Sequence, residues 1–178
     1  MKKVLIVSSS LRAKSNSRVL AEKFAEGARE EGNEVELIAI KDLNLKFCIG
    51  CLSCQKTQKC VLSDSMNSLY DKFQNADVLV FATPIYYYAV SGQLKTLLDR
   101  LNPLYTRDNN FKKICLLASA AEDSDSAFDG AVKDIQGFID CFDGVKLGCV
   151  LRGGGLENGG DVLSSRYVEE AYNLGKSV

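Results

Sequence analysis

A three-layer α/β sandwich is the fold this sequence predicts: a five-stranded parallel sheet of strand order 2-1-3-4-5 with helices on both faces. Three observations carry the expectation. Five short β-rich runs alternate with helical patterns from end to end, the pattern of right-handed βαβ crossovers. Several of these runs are continuously apolar, as strands covered on both faces are. The 178 residues contain no Pro- or Ser-rich linker, repeat or low-complexity tract, so residues 1–178 are expected to form one domain.

The strands are expected at Val4–Ser8, Val35–Ala39, Val78–Ala82, Ile114–Ala118 and Val145–Leu151. Between the first two, Leu20, Phe24 and Ala28 share one helical face, and Gly32-Asn33 supplies the stop. Met66, Leu69, Tyr70 and Phe73 follow the i, i+3, i+4, i+7 spacing, with Asp64 as N-cap. A helix opens near Gly92 and carries Leu94-Lys95 and Leu98-Asp99-Arg100. Phe128, Val132, Ile135, Ile139 and Phe142 form another stripe, and Leu163, Tyr167, Ala171 and Leu174 a weaker last one. All of these stripes are expected to be core.

Composition narrows the chemistry. Lys+Arg 22 against Asp+Glu 23 offers no basic surface for nucleic acid or acidic membrane. The chain has no His, which excludes His-based triads and acid–base work and leaves only Cys or carboxylate for any metal. The apolar run at the N-terminus, Val4 to Val7, is shorter than the ~7–15 residues of a signal peptide or the ~20 of a membrane span. A cytoplasmic protein is therefore expected, in which the seven Cys serve as ligands, redox groups or core rather than disulfides.

Ligands of such sheets bind beyond the carboxyl ends of the strands, where the winding reverses. The loop after strand one, Ser8 to Ser17, holds five hydroxyls, one amide and two cations and ends at a helix N-terminus. Backbone N–H groups, the helix dipole and hydroxyl donors make this a site for one phosphate group; a capped polar turn with nothing bound is the bland alternative. No Walker or GxGxxG pattern is present, which disfavours a P-loop NTPase and a dinucleotide-binding unit. The turn also lacks the carboxylates of a phospho-receiver. After strand three, Thr83-Pro84-Ile85-Tyr86-Tyr87-Tyr88 places three consecutive aromatics at a strand end, too many for one buried face. They suit either a flat, hydrogen-bonding heterocycle or a dimer interface.

Together, Ser-x-Arg-x-x-Ser-Asn-Ser (residues 10–17), Thr-Pro-Ile-Tyr-Tyr (83–87) and Leu-Lys-x-x-x-Asp-Arg (94–100) resemble the NADPH-dependent FMN reductase family of flavodoxin-like proteins. The resemblance runs over nearly the whole chain. It implies that Ser10, Arg12, Ser15, Asn16 and Ser17 hold the phosphate of FMN. It implies further that Pro84, Ile85, Tyr86 and Tyr87 line the isoalloxazine, with Ser119, Ala120 and Glu122 at its pyrimidine edge. The family often has Gly-Ser-Pro-Arg where this chain has Ser9-Ser10-Leu11-Arg12. The implied activity is an oxidoreductase whose chemistry is the flavin's own, with no catalytic side chain. NAD(P)H passes a hydride to flavin N5, and a small-molecule acceptor (flavin, quinone, nitro- or azo-compound, iron complex) is then reduced. A homodimer or homotetramer is implied as well.

Cys48, Cys51, Cys54 and Cys60 form a C-x₂-C-x₂-C-x₅-C run within the cysteine-rich loop 46–62, flanked by Lys46, Lys56 and Lys59. Such spacing lets thiolates converge on one centre. The run looks like the compact motif of the iron–sulfur flavoproteins, a branch of the same family. By that resemblance the four are ligands of a [4Fe–4S] cluster, and the chain is an electron carrier fed by a ferredoxin-like donor. Zinc, a thiol–disulfide switch and a metal-free remnant are the competing readings. A non-catalytic module that binds zinc or a partner through this loop is a further alternative. Cys115, Cys141 and Cys149 lie on strand or helix patterns and are expected in the core.

Overall fold

The computed structural model describes all residues, 1–178. Six strands form the sheet: β1 (Lys3–Ser8), β2 (Glu34–Ala39), β3 (Val78–Tyr86), β4 (Ala89–Val90), β5 (Lys113–Ser119) and β6 (Lys146–Gly153). The order is β2-β1-β3-β5-β6, all parallel, so the predicted five-strand topology is the observed one. The addition is β4, which pairs antiparallel with the end of β3 (Ile85 with Val90, Tyr86 with Ala89). The helices are α1 (Asn16–Glu30), α2 (Ser53–Thr57), α3 (Tyr70–Asn75), α4 (Gly92–Arg100), α5 (Asp129–Ile139) and α6 (Tyr167–Lys176).

Side chains alternate across the sheet because successive Cβ atoms point to opposite faces. Leu5 and Val7 of β1, with Leu79 and Phe81 of β3, meet Tyr70 and Phe73 of α3, Leu94 and Leu97 of α4, and Ile135 of α5. Val4 and Ile6, with Val78 and Val80, meet Leu20 and Phe24 of α1 and Ala171 of α6. Burial on both faces is what made these runs continuously apolar. No helix is long and apolar enough to cross a membrane.

Three expectations need correction. The Met66–Phe73 stripe is not one helix: a 3₁₀ turn (Ser65–Ser68), capped by Asp64 through the Met66 N–H, precedes α3. Leu163 sits on a separate 3₁₀ turn before α6 and is 67% exposed, so it is not core. Cys141 lies just past α5 and is exposed; Cys115 is buried and Cys149 half-buried, facing each other across β5 and β6.

One buried ion pair ties the cysteine loop to the fold. Both Asp64 and Arg100 side chains are fully buried, and Arg100 reaches the carboxylate at 2.5 and 3.0 Å. The same guanidinium donates to the Lys46 carbonyl, and Asp64 accepts from the Lys46 N–H. Both ends of the 46–64 segment are thus held to the last turn of α4. Burial works to raise the Asp64 carboxyl, but the bonds from Arg100, Lys46 and Met66 outweigh it and hold it below the usual carboxylate range.

Candidate functional site

A crevice opens at the carboxyl ends of β1, β3 and β5, where the strand order reverses. Its walls come from Ser10, Arg12, Ser15 and Asn16 after β1, Pro84, Ile85 and Tyr86 at the end of β3, and Ser119, Ala120 and Ala121 after β5. Leu156 and Glu157, after β6, complete it. Nine of the twelve predicted cofactor residues are therefore gathered in one place. The other three stand elsewhere. Ser17 is fully buried in α1, with its hydroxyl 3.2 Å from that of Ser15. Tyr87 is wholly exposed on the turn between β3 and β4. Glu122 lies beside that turn, where its carboxylate accepts from the Tyr88 hydroxyl at 2.9 Å, a bond that raises the Tyr88 phenol above its ordinary range.

The phosphate turn is built from short-range polar contacts. Ser15 caps α1 by accepting from the Arg18 N–H. The Ser10 hydroxyl accepts from the Arg12 N–H, which leaves its own proton to donate. Ser9, where the family often has Gly, is fully buried and its hydroxyl receives the Ser91 hydroxyl at 2.9 Å. Ser91 also caps α4, and its N–H donates to Thr83, so one small network sets the β1 turn against the β3 loop.

Asn16 does something different from what the motif implied. Its side-chain amide donates to the carbonyls of Leu156 and Asn158, and its oxygen accepts from the N–H groups of Gly160 and Val162. All of its bonding directions point at the 156–162 loop, so its side chain fastens the far wall of the crevice. Gly159 lets that loop close: a Cβ there would lie 2.5 Å from the Lys14 carbonyl oxygen. This wall was missed in the sequence, although the glycine-dense run 153–160 was a signal for close backbone approach.

The residues present fit FMN. A free hydroxyl donor on Ser10, the Arg12 guanidinium and the N-terminal N–H groups of a 15-residue helix suit a phosphate. Arg12 also donates to the Glu157 carbonyl at 3.3 Å, which holds it over the crevice. Beside them, Pro84, Ile85 and the half-exposed Tyr86 offer an apolar surface for a flat ring.

The four cysteines do not fit a cluster in the same way. No group of three Cys, Asp or Glu side chains is placed to hold one metal ion. Cys48 and Cys51 are exposed, whereas Cys54 is buried and accepts from the Asn102 amide at 3.1 Å. Cys60 is half-buried beside Tyr70 and Arg100. The backbone explains the dispersal: Leu52 and Gln58 adopt left-handed conformations at the two ends of the five-residue α2, turning the chain sharply between thiols. Cys48, Cys51, Cys54 and Cys60 thus have separate surroundings in this structure. The N–H and hydroxyl of Ser53 hold the Cys51 thiol below its ordinary range.

Comparison with known proteins agrees with the geometry. The model of the NADPH-dependent FMN reductase family matches residues 2–137. An iron–sulfur flavoprotein of Methanosarcina thermophila is 30% identical over 138 residues, covering 78% of this chain and 71% of that protein. Another, from Methanocaldococcus jannaschii, is 37% identical over 102 residues, 57% of this chain and 53% of its own. The chain spans only about half the length of several such relatives (53%, 43% and 46%). Among solved structures, an NAD(P)H:quinone oxidoreductase from Methanothermobacter marburgensis superposes with a TM-score of 0.74 at 21% identity, covering 99% of this chain and 96% of that one. An azoreductase from Bacillus anthracis gives 0.74 at 20% identity over the full length of both; at this identity the two establish the shared fold. With three-quarters of its length inside the family model, the chain belongs to the NADPH-dependent FMN reductase family, in the branch of the iron–sulfur flavoproteins.

Proposed function

We propose that this chain is an FMN-dependent oxidoreductase that takes two electrons from NAD(P)H and delivers them to a small planar acceptor such as a flavin or quinone. The observation that carries the reading is the single crevice in which the Ser10–Asn16 turn meets the Pro84–Tyr86 edge. The family, whose members are named FMN reductases, supports it, as do the names of the quinone oxidoreductase and azoreductase of like fold.

Each residue has a part that follows from its chemistry. Ser10, Arg12 and the first N–H groups of α1 bind and neutralise the phosphate. Pro84, Ile85 and Tyr86 orient the ring, and Ser119 and Ala120 border its polar edge. The Asn16-fastened wall, with Leu156 and Glu157, closes the side away from β3. When bound, FMN supplies hydride acceptance and release. For a quinone the sum is NAD(P)H + H⁺ + quinone → NAD(P)⁺ + hydroquinone, with the extra proton drawn from solvent. No side chain need act as acid or base, in keeping with the absence of His. The test is anaerobic mixing of FMN-loaded protein with NADPH or NADH: the reading expects loss of the yellow absorption of the oxidised flavin and its return on adding menadione. An absorption that persists with both nucleotides refutes it.

A second reading is supported by the name shared by the relatives, iron–sulfur flavoprotein, and by the C-x₂-C-x₂-C-x₅-C run. It keeps the flavin and adds a [4Fe–4S] cluster on Cys48, Cys51, Cys54 and Cys60, with a ferredoxin-like donor. The loop would have to refold for its thiols to converge. Iron and sulfide analysis of anaerobically purified protein decides: about four of each per chain supports it, and none refutes it.

A further inference from the structure

The end of β3 that borders the crevice is set by a hairpin that lacks the means to hold itself. Ile85 and Tyr86 line the crevice and pair with Val90 and Ala89 of β4, a strand of only two residues. The turn that joins them places Tyr87 at φ +50° and Tyr88 at φ +63°. Two-residue hairpin turns of this hand need positive φ at both central positions and ordinarily take Asn-Gly or a similar pair. A residue with a Cβ resists that region, because the Cβ crowds the following carbonyl oxygen. Neither a two-residue ladder nor the chemistry of the turn keeps this hairpin in place.

The hold comes from α5. The Val90 N–H donates to the Asp134 carboxylate at 3.2 Å, which ties β4 to the helix. One helical turn earlier, the backbone at Gly130 lies so close to the Tyr88 carbonyl that a Cβ there would sit 2.1 Å from its oxygen. Gly130 and Asp134 are four residues apart and share one face of α5. Its other face is anchored in the core by Ala131, Ile135 and Ile139. The Tyr88 hydroxyl adds a bond to Glu122 at 2.9 Å. Gly130 and Asp134 do not themselves line the crevice.

We propose that Asp134 and Gly130 are positioning residues for the flavin ring: they hold the strained β3–β4 hairpin against α5 and so fix the Ile85–Tyr86 edge on which the ring lies. Without them the hairpin relaxes toward the backbone conformations that Tyr87 and Tyr88 prefer, and Ile85 and Tyr86 move with their β4 partners. Only the fraction of molecules with the edge in place then binds the ring, and affinity falls by that fraction. The phosphate turn keeps its own supports, the Ser15 cap of α1 and the Ser9–Ser91 bond at the start of α4. This inference rests on the reading that an FMN ring lies against Pro84–Tyr86.

The test titrates flavin-free, full-length protein with FMN and with riboflavin, which shares the ring and lacks the phosphate. Wild type, Asp134→Ala, Asp134→Asn and Gly130→Ala are compared, with urea unfolding of each flavin-free protein alongside. Asp134→Ala and Gly130→Ala are expected to raise both Kd values about tenfold and by the same factor, leaving the riboflavin-to-FMN ratio as in wild type. Asp134→Asn keeps an acceptor oxygen for the Val90 N–H and is expected to stay within about threefold of wild type. Unchanged Kd values in Asp134→Ala overturn the proposal, whether or not the urea midpoint falls, since lost stability alone would make Asp134 structural. A rise for FMN only overturns it too, because the effect then lies on the phosphate turn. So does an Asp134→Asn variant as weak as Asp134→Ala. If Gly130→Ala fails to fold, the two Asp134 variants decide. Wild type that binds neither flavin sinks the FMN reading itself, and this inference with it.

Discussion

Replacing Asn16 with alanine separates two accounts of the same residue. The motif places its side chain on the cofactor phosphate, whereas the structure spends it on the 156–162 loop. Four hydrogen bonds are at stake, at 3.3 and 2.9 Å to the Leu156 and Asn158 carbonyls and 3.0 and 3.2 Å from the Gly160 and Val162 N–H groups. Asn16 is 6% exposed, and Val162 is fully buried, so water cannot easily replace what is lost. At about 0.5–1.5 kcal/mol net per bond, with the two longest at the low end, the loss is about 3 kcal/mol. That is a large part of the ~5–15 kcal/mol that hold a domain together. The assay is urea unfolding of the FMN-free protein, where a phosphate-binding role contributes nothing. Asn16→Ala is expected to lower the midpoint with little change in slope. Asn16→Asp is expected to do no better, because it keeps the acceptor but sets a carboxylate against two carbonyl oxygens. FMN-free Asn16→Ala within about 0.5 kcal/mol of wild type would refute the reasoning and return Asn16 to the phosphate.

Other perturbations follow from the same contacts. Gly159→Ala forces a Cβ to 2.5 Å from the Lys14 carbonyl and should push the far wall outward, raising the FMN Kd at least about tenfold by fluorescence titration. Asp64→Asn leaves the fully buried Arg100 without its counter-charge and should cost about 3–5 kcal/mol in chemical denaturation. Because the folded carboxyl of Asp64 lies below its unfolded value, that contribution is present above about pH 4 and is lost as pH falls through the folded pKa. Burial pushes the Tyr70 phenol up to about 12, so the folded state favours its protonated form. Stability should therefore fall as pH rises from about 10 to about 12, and Tyr70→Phe should remove that part of the pH profile.

The sheet was legible because its strands are sandwiched. Val4–Val7 and Val78–Phe81 face helices on both sides, and that double burial leaves an uninterrupted apolar run in the sequence. The phosphate turn was legible for a local reason too, since Ser15 caps the helix three residues ahead of Arg18. What escaped was non-local. Asn16 finds its partners some 140 residues later in a glycine-dense segment without periodicity, and nothing near Asn16 points there. The β3–β4 hairpin was hidden because Tyr87-Tyr88 lacks the Asn-Gly chemistry that marks such turns. The cysteine spacing made the branch of the family legible but not the local geometry of the loop. Four thiols within thirteen residues are close in sequence, but the left-handed turns at Leu52 and Gln58 give them separate surroundings.

The account turns on a phosphate group being gripped by Ser10, Arg12 and the start of α1 while a ring lies against Pro84–Tyr86. Titrating the flavin-free protein in parallel with FMN and with riboflavin, which lacks only the phosphate, tests that most directly. One FMN per chain should bind, and riboflavin should bind at least about a hundredfold more weakly, given that charge-assisted hydrogen bonds contribute about 1.5–3 kcal/mol each. Equal affinity for the two, or no flavin binding at all, would contradict it.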